Sequence, residues 1–198
     1  MKQWLLALCL ALLFPLIGRS ADSAPAVAIF SRLTGLPRAG GESELRPRVS
    51  VTVWPDGRII WARDQSRGGP PFLSARIEPR QVQALLDRFA REGVFDARSF
   101  QHAQYGPDSY VTTIWLQSGT RHTRLDSWHE NYEGRSNLVA SSHGIAPLNG
   151  RTREDVLRHD TKDYQRFRRA WAELRRAIAA LIPKHGDAYS GSPFKPRK

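Results

Sequence analysis

The chain of 198 residues carries a single cysteine, Cys9, and that one sits in its first ten residues. Disulfide stapling and thiolate chemistry are thereby excluded from everything that follows, including cysteine nucleophiles and cysteine metal sites. Carboxylates are also scarce, with 19 Asp and Glu against 30 Lys and Arg, so the surface cannot be charge-balanced. After Ile17 no apolar run approaches the roughly 20 residues that a membrane-spanning helix needs. Metalloprotease, nucleophile-elbow and phosphate-loop signatures are missing, and no internal repeat is present beyond two hairpins of generic type.

What is there begins with Lys2, then a nearly unbroken apolar stretch of about 14 residues from Trp4 to Ile17, then small residues. That is too short to span a bilayer and reads as an export signal over 1–26, cut after Ser20 or after Ala26. An uncleaved anchor is the competing reading. Losing Lys2, Arg19 and Asp22 with the signal lowers the net charge from +11 to +10. Such a surface attracts polyanions, and for an exported protein anionic envelope polymers, lipid head groups or a protein partner are favoured over nucleic acid. Solubility alone also accounts for a basic surface. A chain of this size can bury a core without staples, so export without disulfides is coherent.

The most legible element is a helix near residues 79–92. Pro79 suits a first helical position and Gly93 a left-handed terminus, while Val82, Leu85, Leu86 and Phe89 recur at helical spacing. Upstream, 27–47 reads as a loose lead-in with one apolar patch, Val27 to Phe30. A hairpin follows, with Val49, Val51 and Val53 leading to Pro55-Asp56-Gly57 and a return from Ile59 to Ala62. Facing Trp54 with Arg58 puts Val49, Val51, Val53, Ile59 and Trp61 on one side, and Ser50, Thr52, Trp54, Arg58 and Ile60 on the other.

A third strand covers Phe72 to Ile77. A second hairpin runs from Ser109 to Gln117 and from Thr120 to Ser127 around Ser118-Gly119. With Gln117 opposite Thr120, Tyr110, Ile114, Leu116 and Leu125 share one face, and Val111, Thr113, Trp115, His122, Arg124 and Asp126 the other. Trp128 to Gly150 shows no periodic pattern, and Thr152 with Asp155 matches a helix cap. Tyr164, Phe167, Trp171, Leu174, Ile178 and Leu181 mark a long helix over 162–182, docked on the protein's own sheet in preference to a coiled coil. Residues 184–198 read as a disordered basic tail.

The expected fold is α+β, a single domain over 48–183. It comprises an antiparallel sheet of about five strands (two hairpins plus one strand), a covering central helix and a long C-terminal helix. Two places carry candidate chemistry. Asp108, Asp126, His129 and Glu130 flank the second hairpin, whose ends lie side by side, and such a set could pair an acid with a base in a hydrolase or a metal-dependent enzyme. Turn formation and loop tethering explain the same residues without chemistry, and no cofactor or metal is assigned. On the wetter sheet face, Trp54, Arg58, Trp115, His122 and Arg124 interleave rings and cations, which suits ligand binding, unless the C-terminal helix covers them.

The layout resembles a family of exported bacterial α+β domains of unknown function, over about residues 48 to 182. The resemblance is carried by Val51 to Trp61 around Asp56-Gly57, Leu73 to Ile77, Val82 to Phe95, and Pro107-Asp108 leading into Tyr110 to Leu125. Gly69-Pro70-Pro71, Ser127-Trp128-His129-Glu130 and His143-Gly144 through Pro147-Leu148 extend it. It implies export and an α+β fold. It implies no mechanism, so the reading is a non-enzymatic exported binding domain with a basic surface.

Overall fold

A computed structural model describes residues 24–34, 47–96 and 109–194. Its centre is an antiparallel sheet of seven strands, and the first of them answers the expectation of a loose lead-in with a correction. β1 (Val27–Thr34) pairs with β2 (Arg48–Val53) on one side and with β5 (Ser109–Ser118) on the other. Val27 to Phe30 lack the period-2 alternation of a half-buried strand because both faces of this strand are covered, and all four are 4% exposed or less. Even Ala26 is held, its N–H donating to the Val53 carbonyl and its own carbonyl accepting from Gln117, each at 2.8 Å.

Outward from β2 come β3 (Arg58–Ala62), β4 (Phe72–Arg76) and β9 (Asp187–Tyr189), while β6 (Arg121–Ser127) closes the other edge beyond β5. β9 lies in the segment expected to be a disordered tail. Its composition is indeed strand-poor, and its order comes from backbone pairing to β4 along Phe72, Leu73 and Ser74. The sequence therefore undercounts the sheet by two strands, neither of which carries the alternation that marks a half-buried strand. A separate hairpin, β7 (Leu138–Ser141) with β8 (Gly144–Pro147), occupies part of the stretch without periodicity.

The first hairpin turns as expected. Trp54 N–H donates to the Arg58 carbonyl at 2.8 Å, and Gly57 takes φ 83°. A Cβ at Gly57 would stand 2.1 Å from the Ile77 carbonyl oxygen, so this turn packs backbone-to-backbone on the end of β4. One side chain departs from its expected face. A bulge between Ile29 and Phe30 lets Val51 and Val49 oppose successive β1 residues, leaving Ser50 extra, which turns Val49 to the face of Trp54 and Ile60.

In the second hairpin the loop is Gly119-Thr120, so Ser118 opposes Arg121 and Gln117 opposes His122. The expected pairing is off by two residues on the return strand. Because side chains alternate with period 2, that slip preserves every face assignment.

α1 (Pro79–Arg91) buries Val82, Leu85, Leu86 and Phe89, and its Gln81 side chain accepts the Glu78 N–H at 3.1 Å. α4 (Lys162–Ala179) buries Tyr164, Phe167, Trp171, Leu174 and Ile178 after a Thr161 cap. Both helices join one cluster with Val51, Val53, Ile59, Trp61, Ile114, Leu116 and Leu125, so they cover the same face of the sheet. Each large side chain buried there contributes about 1.5–3 kcal/mol. Short helices α2 (His129–Tyr132) and α3 (Arg153–Arg158), with a 3₁₀ turn at Glu133–Arg135, complete the fold. Among the described residues no helix is long and apolar enough to cross a membrane.

Candidate functional site

The four loop residues do not gather. Asp108 lies outside the described residues. Asp126 sits beside Thr113 and Arg124 on the sheet face away from α1 and α4, accepting from Arg124 at 2.9 Å, with Arg32 3.9 Å distant. His129 and Glu130 instead start α2 and turn toward α4. Glu130 accepts from the Trp171 indole and from the Arg175 guanidinium, both at 2.8 Å. His129 meets Trp171 edge-on at 5.5 Å and bonds Ser127 through Nδ1. The sheet thus separates Asp126 from the other two, because residues 126 and 127 point to opposite faces.

A serine hydroxyl against an imidazole is half of a nucleophilic pair. Ser127 is 1% exposed, however, and no substrate carbonyl can approach its Oγ. Burial, followed by the charges of Arg168 and Arg175, lowers the His129 pKa from 6.5 to about 3, so the ring is neutral at every physiological pH. Behind it, Glu133 takes two hydrogen bonds from Arg168 at 2.9 and 2.8 Å and a third from Ala140 N–H. This polar group locks α2, the 3₁₀ turn and β7 onto α4. Among the described residues no set of three or more His, Cys, Asp or Glu side chains could hold a metal ion.

Trp54, Arg58, Trp115, His122 and Arg124 do share a face, and it is the one opposite α1 and α4. The expectation that Trp115 floors the C-terminal helix is therefore corrected. The rings are nonetheless not open platforms. The Arg58 guanidinium lies 4.0 Å above the Trp54 ring, and His122 stacks on Trp115 at 5.2 Å with 16° between planes. What faces outward is guanidinium and imidazole supported by indole. Arg58 Nε, Trp115 Nε1 and the Thr52 hydroxyl are buried there without a hydrogen-bond partner. The C-terminal arm shares this side, with Phe194 6.0 Å from Phe30 and Tyr189 beside the same cluster.

The sequence reading overlooks a third place. A cleft of about 440 Å³ is lined by Arg48, Ser66, Arg67, Tyr110, Asn131 and Tyr132, among others. These residues come from the start of β2, the loop after β3, the start of β5 and α2, and no linear motif joins them. The one local signal was Asp64-Gln65-Ser66-Arg67, an Asx-type turn that presents an arginine: Asp64 accepts from Ser66 N–H at 3.0 Å, Ser66 Oγ at 2.7 Å and Arg67 N–H at 3.2 Å. Neither a protein-family model, a curated protein nor a solved structure matches the chain.

Proposed function

We propose that this is an exported, non-enzymatic binding protein whose basic surface associates with anionic envelope material. The observation that carries this reading is the unpaired charge. Arg63, Arg80, Arg91, Arg169 and Arg176 are exposed and form no ion pair with a described carboxylate, while the described carboxylates are largely committed to internal partners. The sheet face opposite α1 and α4 adds the Arg58 guanidinium, held over Trp54, beside the His122 ring stacked on Trp115. Attraction to a polyanion is then a property of a whole surface and falls steeply with ionic strength.

Export under this proposal involves removal of the leader after Ser20. Cutting there leaves Ala26 with both of its strand hydrogen bonds, whereas cutting after Ala26 would remove them and put a charged amine on the fully buried Val27. Intact mass of the secreted protein distinguishes the two.

Binding is tested by retention of the mature protein on an immobilised sulfated polysaccharide. Elution should move to lower salt when Arg58 and Arg124 are replaced by alanine together, and lower still when Arg169 and Arg176 are added. Retention that persisted unchanged as salt was raised would refute the electrostatic reading.

A further inference from the structure

We infer that the cleft around Arg48 and Arg67 is a binding site for a small hydroxylated oxyanion, an acidic or phosphorylated sugar. This goes beyond surface attraction for polymers and stands independently of it, on a different part of the molecule. The cavity of about 440 Å³ falls within the range of small-ligand sites, roughly 300–1,000 Å³, and takes one or two sugar rings.

Its walls are fixed before any ligand arrives. On one side Asp64 caps the turn that carries Ser66 and Arg67, Gln65 donates to the Ala62 carbonyl at 2.8 Å, and Gly69 N–H donates to the Val49 carbonyl at 2.8 Å. On the other, the Tyr132 hydroxyl accepts the Tyr110 N–H at 2.8 Å, and the Asn131 amide donates to the Tyr110 carbonyl at 3.1 Å and to Thr112 Oγ1 at 3.0 Å. The Arg48 guanidinium rests 5.4 Å from the Tyr110 ring centre. Preorganisation of this kind removes ordering costs that binding would otherwise incur.

The polarity then selects the ligand. Neither Arg48 nor Arg67 has a described carboxylate within ion-pair distance, Asp64 feeling the Arg67 charge only weakly beside its hydrogen bonds, and a guanidinium fork matches the paired oxygens of a carboxylate or a phosphate. Glu130 is the sole carboxylate among the lining residues, and its Oε1 is already held by Arg175 and the Trp171 indole on α4. The Asn131 side-chain oxygen accepts no described hydrogen bond, which leaves an acceptor for a sugar hydroxyl. A neutral sugar would leave both cations uncompensated.

Calorimetric titration of the mature protein with glucose 6-phosphate, glucuronate and glucose tests the inference. One or both charged sugars should bind and glucose should not, and the stronger of the two identifies phosphate or carboxylate as the preferred group. Arg48→Ala and Arg67→Ala should each weaken binding about tenfold to a hundredfold. Lysine at either position should restore only part of the loss, because an ammonium cannot make the paired contact. Arg166→Ala, exposed on α4 and paired there with Asp163, should bind as the parent does. Both cleft arginines are exposed, so thermal melts should match the parent.

Glucose binding as tightly as its charged relatives, neither charged sugar binding at millimolar concentration, or full affinity in both alanine variants would each overturn the assignment. Retention on the polysaccharide column is a separate readout. Saturating the cleft with glucose 6-phosphate should leave it unchanged, so the two proposals fail separately.

Discussion

Lowering pH from 7.5 to 5 should cost the folded protein about 2 kcal/mol through His129 alone. Burial, and then Arg168 and Arg175, hold this imidazole at a pKa of about 3 against an ordinary 6.5. Between those values the unfolded chain takes up a proton that the native ring refuses. The contribution is therefore fully present above pH 6.5 and is lost as pH falls toward the folded value. The full difference corresponds to roughly 5 kcal/mol, an upper bound because the ring is half-buried and water screens part of the penalty.

The loss down to pH 5 is insensitive to that screening, since it is set almost wholly by protonation of the unfolded state. Urea unfolding followed by tryptophan fluorescence reads it as a fall of about 1 M in midpoint. The Asp64 and Asp155 carboxyls are lowered by hydrogen bonds, from Ser66 and from Thr152 respectively, so their contributions disappear only below the carboxylate range and outside this window. His129→Asn removes the titrating group and keeps a polar atom near Ser127, so its midpoint should be about 1 M less sensitive to the same pH change. Parallel curves for parent and variant would refute the argument that this ring is kept neutral by its surroundings.

Three further outcomes follow from packing. Glu133 is 6% exposed and anchors Arg168 and the Ala140 N–H, so Glu133→Ala should destabilise by about 3–5 kcal/mol in urea titration, chiefly because Arg168 is left without its counter-charge. Glu133→Leu combined with Arg168→Met should recover much of that. Gly57→Ala should cost at least about 2 kcal/mol, combining the positive φ with a clash against the Ile77 carbonyl. Deleting residues 190–198 removes Phe194 from Phe30 and should raise binding of a hydrophobic dye while leaving the far-ultraviolet spectrum of the helices unchanged.

Residues whose side chains repeat with a clean period were legible in the sequence. α1 and α4 appear with their buried stripes intact, because a stripe at helical spacing can serve only one face. The two hairpins were legible from Asp56-Gly57 and from the Gly119 region, and a slip of two residues in the second did no harm to its faces. β1 was not, because a strand buried on both sides has no alternation to read, and Val27 to Phe30 looks the same as an apolar patch in a loop. β9 was not, because its three residues are ordered by the free edge of β4 and by a single packed side chain, Tyr189, too little to show as a pattern. Val49 was misplaced by a bulge, an irregularity that side-chain pattern does not encode.

The candidate chemistry was harder for a related reason. Ser127, His129, Glu130 and Glu133 have the residue types of an active site, yet a four-residue helix cannot sustain itself by its own hydrogen bonds and needs tertiary anchors. α2 obtains those anchors from these polar side chains, directed at Trp171, Arg175 and Arg168 on α4 and, through Asn131 and Tyr132, at the backbone of β5. A polar cluster whose members are all engaged in holding the fold, through His129 Nδ1, Glu130 Oε1 and both oxygens of Glu133, is explained by structure before any chemistry is invoked. Composition in a loop therefore misdirects, and the useful discriminator is which charges remain unspent once the fold is satisfied. That criterion moves attention from Asp126 and His129 to the basic sheet face, and above all to Arg48 and Arg67, two guanidinium groups that line a cavity and form no ion pair with a described carboxylate.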